Sequence, residues 1–341
     1  MKLPLAIAKF SHFEFWPWWL FYLPILPYWL FLAIKNRSLA YFTAANPGIE
    51  LGGFYGESKG EILALIDPQF LPKAFLVKTK TDFHELIKQL SIFSINYPFI
   101  AKPDVGERGK QVALILSAEE LDEYNNESNS AYLIQEFIDY EIELGVLFSR
   151  MPNEEAGEVT SITGKEFLSV TGDGILTIHE LMNQDLRARF QLKRFFLELG
   201  EEMNSVLAKG ETKLLEPIGN HCRGTKFLDF NDLINKELNV IFNQISKPID
   251  GFFYGRYDLK VSSIEDLYLG KNIRILELNG VSSEPGHIYD PKNSMRKAYK
   301  DLASHWKRLA EISKENMKNG IKPVSFGVLV KAYWKFVVLK K

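Results

Sequence analysis

Apolar positions along this chain fall into two periods. Short runs rich in β-branched and aromatic residues occupy 99–102, 111–116, 132–137, 142–148, 159–167, 252–260 and 272–278. Runs of that length and composition predict strands. Between them, apolar residues return every three or four positions over 58–66, 82–90, 178–207, 229–244 and 294–316, which predicts helices with one buried face. In the last of these, Met295, Tyr299, Leu302, Trp306 and Leu309 share a face, and that stripe belongs to core packing. Residues 119–130 are polar and read as a helix end and a loop, and 151–157 as a polar connection. The mixture predicts an α/β fold without internal repeats.

The two ends break this pattern. Residues 15–34 run 20 positions without a charge and hold four of the six tryptophans. A run of that length can cross a bilayer. However, Pro17, Pro24 and Pro27 interrupt helical hydrogen bonding, and the aromatics fill the whole run instead of marking two interfaces. A signal peptide fits poorly, because Lys35, Asn36 and Arg37 follow where small residues are needed. Two readings stand: a kinked segment lying in a membrane interface, or an aromatic arm packed on the body. Residues 325–341 interleave Lys331, Lys335, Lys340 and Lys341 with Tyr333, Trp334, Phe336, Val337 and Leu339. That segment suits an anionic membrane surface, or a docked final element whose lysines reach out to water.

Charge and composition narrow the classes. Lys and Arg total 41 against 43 Asp and Glu, a net charge of -2, so a basic surface for nucleic acid is not expected. The single cysteine, Cys222, excludes an internal disulfide framework and a cysteine-based zinc site.

Three stretches carry candidate chemistry. In 97–115, Lys102 sits in a strand before Pro103, and a loop with Gly106 and Gly109 follows. Glycines let main-chain N–H groups approach an anion, and the lysine adds a compact charge. In 132–148, a strand ends at Glu136, Phe137 and Ile138, and Glu143 follows seven residues after Glu136. Such a stretch can hold a flat base by its backbone, with Glu143 set to accept from sugar hydroxyls. In the third, Arg256 and Asp258 lie two apart on one strand and Glu277 and Asn279 two apart on another, so each pair shares a face. If the strands are neighbours, their oxygen ligands suit Mg²⁺ and Arg256 can stabilise a transferring phosphoryl group.

In order and spacing these pieces resemble the ATP-grasp superfamily of carboxylate–amine ligases, nearest its D-alanine–D-alanine ligase-like and cyanophycin-synthetase-like branches, over about residues 57–290. The resemblance implies two α/β lobes clasping ATP between antiparallel sheets. It divides the chain into an aromatic arm (1–50), a first lobe with the glycine loop (51–136), a second lobe with the metal site (137–320) and a basic–aromatic end (321–341). Lys59 and Lys102 match the family's phosphate-binding lysines, Gly106 and Gly109 its glycine loop, Glu136, Phe137 and Ile138 its adenine hinge, and Glu143 its ribose-binding acid. Asp258, Glu277 and Asn279 match its Mg²⁺ (or Mn²⁺) ligands, and Arg256 its catalytic arginine. Residues 168–182 and 219–229 are similar to the cyanophycin-synthetase side. They bring Lys165, His221 and Arg223 into question as groups facing the acceptor carboxylate or the γ-phosphate, with a structural role equally open for His221.

The sequence also departs from the family. Only about 55 residues precede Lys59, so the usual N-terminal α/β lobe is missing or much reduced. After Asn279, Ser283, Glu284 and His287 stand in an acceptor segment with no family counterpart. The resemblance implies an ADP-forming ligase joining small-molecule carboxylate and amine substrates in the cytoplasm, with peripheral contact at the inner membrane face through 15–34 and 325–341. The alternatives are a kinase-like phosphotransferase and a non-catalytic nucleotide-binding protein.

Overall fold

The structure is a computed structural model, and it describes residues 4–106 and 111–335. Three prolines divide the apolar N-terminal run. Helix α1 (Leu5–Ser11) is followed by α2 (Trp18–Tyr22), a 3₁₀ turn and α3 (Leu26–Lys35). Pro17 caps α2, and Pro24 and Pro27 lie in the first turn of the segments they open, where a missing N–H breaks no helical bond. Phe21, Ile25, Leu32 and Ala33 turn inward and are buried, while Trp18, Trp19, Phe31 and Ile34 are exposed. The arm is therefore packed on the body and carries a bare outer face. The short helix α4 (Lys59–Leu63) follows, capped by Ser58.

Strands β1 (Ala74–Val77), β2 (Phe99–Pro103), β3 (Ala113–Ile115) and β4 (Tyr132–Glu136) pair antiparallel in the order β1-β4-β2-β3. Alternation decides what each face does. Phe75, Val77, Phe99, Ala101, Tyr132 and Ile134 meet Leu86 and Leu90 of α5 (Phe83–Phe93) and Leu121 of α6 (Ala118–Glu127) in one core. The opposite face carries Lys102 and Gln135, and its Leu133 joins the core of the second lobe.

The second lobe begins with β5 (Ile142–Ser149) and β6 (Glu158–Glu166). A side unit follows, built from the paired β7 (Ser169–Thr171) and β8 (Thr212–Leu214) with α7 (Ile178–Gln184) and α8 (Leu186–Leu199). Then come β9 (Lys226–Asp229), α9 (Lys236–Ser246), β10 (Tyr254–Val261), α10 (Ile264–Leu269) and β11 (Ile273–Asn279). The sheet order is β11-β10-β5-β6-β9, antiparallel throughout. One face packs Leu144, Val146, Phe148, Tyr257, Leu259 and Val261 against Leu238, Phe242 and Ile245 of α9. The other is divided along its length. Leu147 and Tyr254 lie beneath α11 (Met295–Lys318), α3 and α12 (Phe326–Tyr333), and Arg256, Asp258 and Lys260 continue the same face beyond them.

Three expectations about elements change. The run 178–207 is two helices, because the Asp185 carboxylate accepts from Ala188 N and starts α8 afresh. The helix expected over 229–244 starts only at Lys236, capped by Asn235, and Asp229 ends β9. Residues expected as a polar helix end and loop form α6, capped by Ser117, with Leu121 turned inward. The periodic stripe of α11 is core at Tyr299, Leu302, Trp306 and Leu309, whereas Met295, in the first turn, is exposed.

Candidate active site

The site is built from strand parity. Arg256 stands opposite Asn279 and Asp258 opposite Glu277 across the β10–β11 ladder. On the other side, Lys260 faces Glu143 and Asp258 faces Gly145 across the β10–β5 ladder. All these side chains therefore emerge on one face. Between Asp258 and Leu259 the β11 register slips by one residue, leaving Leu276 as a bulge. A bulge frees and re-aims main-chain groups. Here the Leu276 carbonyl accepts from Lys102 Nζ at 2.9 Å and from Gln135 Nε2 at 3.3 Å, which ties the cleft face of the first sheet to the edge of the second.

The cations close in from both lobes. Lys102 also donates to Gln135 Oε1 at 3.0 Å. Lys59 Nζ donates to Gly106 O at 2.7 Å and lies 3.7 Å from Glu277 Oε1. Asp104 holds the start of α4, accepting at one carboxylate oxygen from Ser58 Oγ and Gly60 N. Lys165, from β6, bridges Glu143 (2.8 Å) and Asp258 (3.0 Å). Asp258 also accepts from Arg256 at 2.9 Å and Asn279 Nδ2 at 2.8 Å.

These contacts fix the protonation states. Burial alone would raise the Asp258 carboxyl, but Arg256 and Lys165 outweigh it and hold it down to about 2. Burial pushes Lys102 down to about 8, helped by Lys59 and opposed by Glu277, Asp258 and Glu143. Burial likewise lowers Lys165, but Asp258 and Glu143 more than reverse it and keep that ammonium charged.

At the end of β4, Glu136, Phe137 and Ile138 line a cavity of about 510 Å³ with Lys73, Tyr140 and Arg274. Lys260 Nζ lies 5.4 Å from the Phe137 ring centre and 5.5 Å from that of Phe167, within cation–π reach.

Contacts thus join Lys59, Lys102, Gly106, Glu143, Lys165, Arg256, Asp258, Glu277 and Asn279 in one cleft, and Glu136, Phe137 and Ile138 line the cavity beside it, reached through Lys260. Gly109 lies outside the described residues. His221 and Arg223 are held elsewhere. His221 sits 3.4 Å from Glu14 of the arm, between Phe227 and Tyr289. Arg223 Nε donates to buried Glu216 at 2.7 Å, beside Arg194. Among the described residues no group of three His, Cys, Asp or Glu is placed to share a metal. The set Asp258, Glu277 and Asn279 has two carboxylates and one amide, an all-oxygen donor chemistry that fits a hard cation when the Asn279 amide turns its oxygen inward.

Sequence reasoning left the acceptor segment undecoded. Ser283 donates to Gly280 O at 2.6 Å, which fixes the turn after β11. His287 is buried between Ser161 Oγ (2.6 Å) and Asp301 (3.1 Å). The order Ser–His–Asp is that of a hydrolytic triad, but both Ser161 and His287 are 1% exposed and Asp301 is shared with Lys297. This chain fastens α11 to the sheet. Glu284 meets the site through its main chain. Its carbonyl accepts from Arg256 Nη1 at 3.3 Å, its carboxyl accepts from Tyr289 Oη at 2.9 Å, and burial lifts that carboxyl to about 7. Gly145 and Gly219 were missed as well. A Cβ on Gly145 would meet Arg256 Cδ at 3.2 Å and Asp258 Oδ1 at 3.3 Å, and one on Gly219 would meet Glu143 Oε1 at 2.1 Å.

No family model matches the chain, and no curated protein matches it in sequence. Solved structures do resemble it. The D-alanine–D-alanine ligase from Coxiella burnetii gives a TM-score of 0.42 at 9% identity, covering 81% of this chain and 60% of that one. The D-alanine–D-alanine ligase from Bacillus anthracis complexed with ATP gives 0.40 at 15%, covering 76% and 65%. The bifunctional glutathione synthetase from Pasteurella multocida gives 0.36 at 15%, covering 72% and 35%. The chain spans less than two thirds of the length of each of these. Its own architecture has two antiparallel sheets, each with its own helical core, meeting at a lysine- and carboxylate-lined cleft, the arrangement that the sequence's resemblance implied.

Proposed function

We propose that the protein is an ATP-dependent, ADP-forming ligase that joins a carboxylate to an amine. One observation carries this reading: Lys59, Lys102, Lys165 and Arg256 converge from two lobes on Asp258, Glu277 and Asn279 in a single cleft. Phosphoryl transfer depends mainly on such positioning and charge. The hinge at Glu136, Phe137 and Ile138 would receive the base, and Glu143 the ribose. Asp258, Glu277 and Asn279 would hold Mg²⁺, which when bound supplies positive charge to the phosphate oxygens.

In the first step a substrate carboxylate oxygen attacks the γ-phosphorus. The bond to the β–γ bridging oxygen breaks, and ADP leaves with that electron pair. Lys59, Lys102 and Arg256 offset the charge that develops. In the second step the amine attacks the acyl carbon of the acylphosphate. The tetrahedral intermediate expels phosphate, and the amine proton passes to Glu284, whose near-neutral pKa suits a base at ordinary pH. The exposed aromatic face of the arm favours an amphiphilic or membrane-presented substrate.

The test is ADP release across a panel of carboxylates and amines, with ¹⁸O placed in the carboxylate. Label appearing in inorganic phosphate supports the acylphosphate route. ADP release that needs only a hydroxyl acceptor would replace the ligase reading with a phosphotransferase. Asp258→Asn and Glu277→Gln should each abolish turnover. Nucleotide binding without turnover of any pair by the wild-type chain would leave a nucleotide-binding protein.

A further inference from the structure

We infer that the outer faces of the N-terminal arm and of the C-terminal helix form a docking surface for an anionic lipid bilayer, on which the protein lies without crossing it. This goes beyond the ligase reading and does not depend on it. Residues 18–35 are long and apolar enough to cross a bilayer by length and composition, yet only 22% of the stretch is buried in the protein. Trp18 is 64% exposed, Phe31 56% and Ile34 76%. Exposed aromatic and aliphatic residues in such number are far more than scattered surface apolar positions supply.

A second element adds to the same surface. Leu329 of α12 and Leu32 and Ala33 of α3 bury their inner sides in one cluster. Phe326, Val328 and Val330 of α12 are exposed, as are Phe31 and Ile34 of α3. Val324 N, just before α12, donates to Thr43 Oγ1 at 3.1 Å, which fixes that end to the segment after the arm.

Charge selects the partner. The arm, residues 1–50, carries four cations, Lys2, Lys9, Lys35 and Arg37, and two acids, Glu14 and Glu50. Glu14 is buried and ion-paired to Arg187, so it does not oppose an anionic surface. Residues 321–335 carry Lys322, Lys331 and Lys335 and no acid. Apolar anchors with cations beside them suit anionic headgroups.

The same contacts exclude a crossing. α3 has 10 residues, and at 1.5 Å per residue that is about half of a ~30 Å hydrocarbon core. The rest of the run is bent away from it and fastened down. Phe21 and Ile25 are buried against Ala298 and Leu302 of α11, and Tyr299 Oη donates to Phe21 O at 2.8 Å. Pulling the run straight through a bilayer would strip those residues from the core.

The full chain should float with vesicles of phosphatidylcholine containing phosphatidylglycerol, with its tryptophan emission shifted to the blue. The paired changes Trp18→Ser/Trp19→Ser, and separately Lys35→Gln/Lys331→Gln, should each weaken that partition by about tenfold or more. ATP affinity should be the same in all variants, which separates loss of docking from loss of fold or of the cleft. High salt should release the lysine-dependent part. The inference fails if the chain stays in the aqueous fraction with anionic vesicles, if binding survives both paired changes, or if alkaline carbonate cannot release it. It fails equally if light scattering finds a dimer in solution that Trp18→Ser/Trp19→Ser converts to monomer, because the face then belongs to a second copy.

Discussion

Glu284 is the residue whose behaviour is easiest to separate from that of its neighbours. Burial lifts its carboxyl from the usual 4.5 to about 7, and the Tyr289 hydroxyl partly offsets that rise. The sign follows directly. A carboxyl raised in the folded state is fully favourable below its unfolded value, and that contribution is lost as pH rises towards 7. Activity moves the opposite way, because the base form grows over the same interval. Amide formation should therefore rise with pH with an apparent pKa near 7, and Glu284→Gln should remove that limb. The substitution should lower amide formation by about 10²- to 10⁴-fold, while ADP formation from the carboxylate alone persists. Tyr289→Phe deletes the bond that holds the carboxyl down, so the limb should move to higher pH. Rate profiles of the three proteins check both statements. Asp258, Glu277, Asn279 and Arg256 were legible because two-residue spacing on a strand fixes a shared face. Glu284, Gly145 and Gly219 were not. Their roles come from contacts across 28 residues to Arg256, across strands to Asp258, and from a loop to Glu143, and no local pattern encodes these.

Among elements, the seven expected strands are all present, but β1, β7, β8 and β9 went unread because three or four residues show too little alternation, and helix breaks were lost because a single side chain decides them. Asp185 illustrates the second case. Its carboxylate receives Ala188 N at 2.7 Å and divides one expected helix into two. Asp185→Ala should cost about 1 kcal/mol, read as a lower urea midpoint at unchanged slope. The β10–β5 ladder gives a sharper case. Gly145 provides the floor over which Arg256 and Asp258 lie. Valine suits a strand, but its branches would occupy the space of the guanidinium and carboxylate. Gly145→Val should therefore fold and still lose most turnover, with an overpacking cost of about 1–3 kcal/mol in the same urea experiment. Gly145→Ala, needing only a few tenths of an ångström of movement, should retain most activity. Equal activity in both variants would show that this floor does not position the site.

At the scale of the whole molecule, the arm is joined to the second lobe by one buried charge. The Glu14 carboxylate meets Arg187 of α8 and lies 3.4 Å from His221. Arg187 continues to Thr225 O at 3.1 Å, and the His221 ring lies 5.4 Å from that of Tyr289, the partner of Glu284. The arm is therefore connected by packed polar groups to the segment that holds Glu284. Burial would raise Glu14, but His221 and Arg187 more than reverse this and hold its carboxyl below the usual 4.5. A depressed carboxyl contributes stability that is whole above its unfolded value and is lost as pH falls through the folded one. Arm docking should therefore hold at neutral pH and weaken as the solution is acidified below about 4.5. Glu14→Gln should imitate the acid state at pH 7 and leave Arg187 buried without its counter-charge, a loss of about 3–5 kcal/mol when one partner of a buried pair is removed. Hydrogen exchange over residues 5–35 is the measurement. In the wild type, protection of α1, α2 and α3 should fall with acid before that of β5 and β10. In Glu14→Gln it should already be low at neutral pH. Glu14→Gln/Arg187→Met removes both charges and should recover part of the protection, because the cost lies in the stranded guanidinium and not in the absence of the pair.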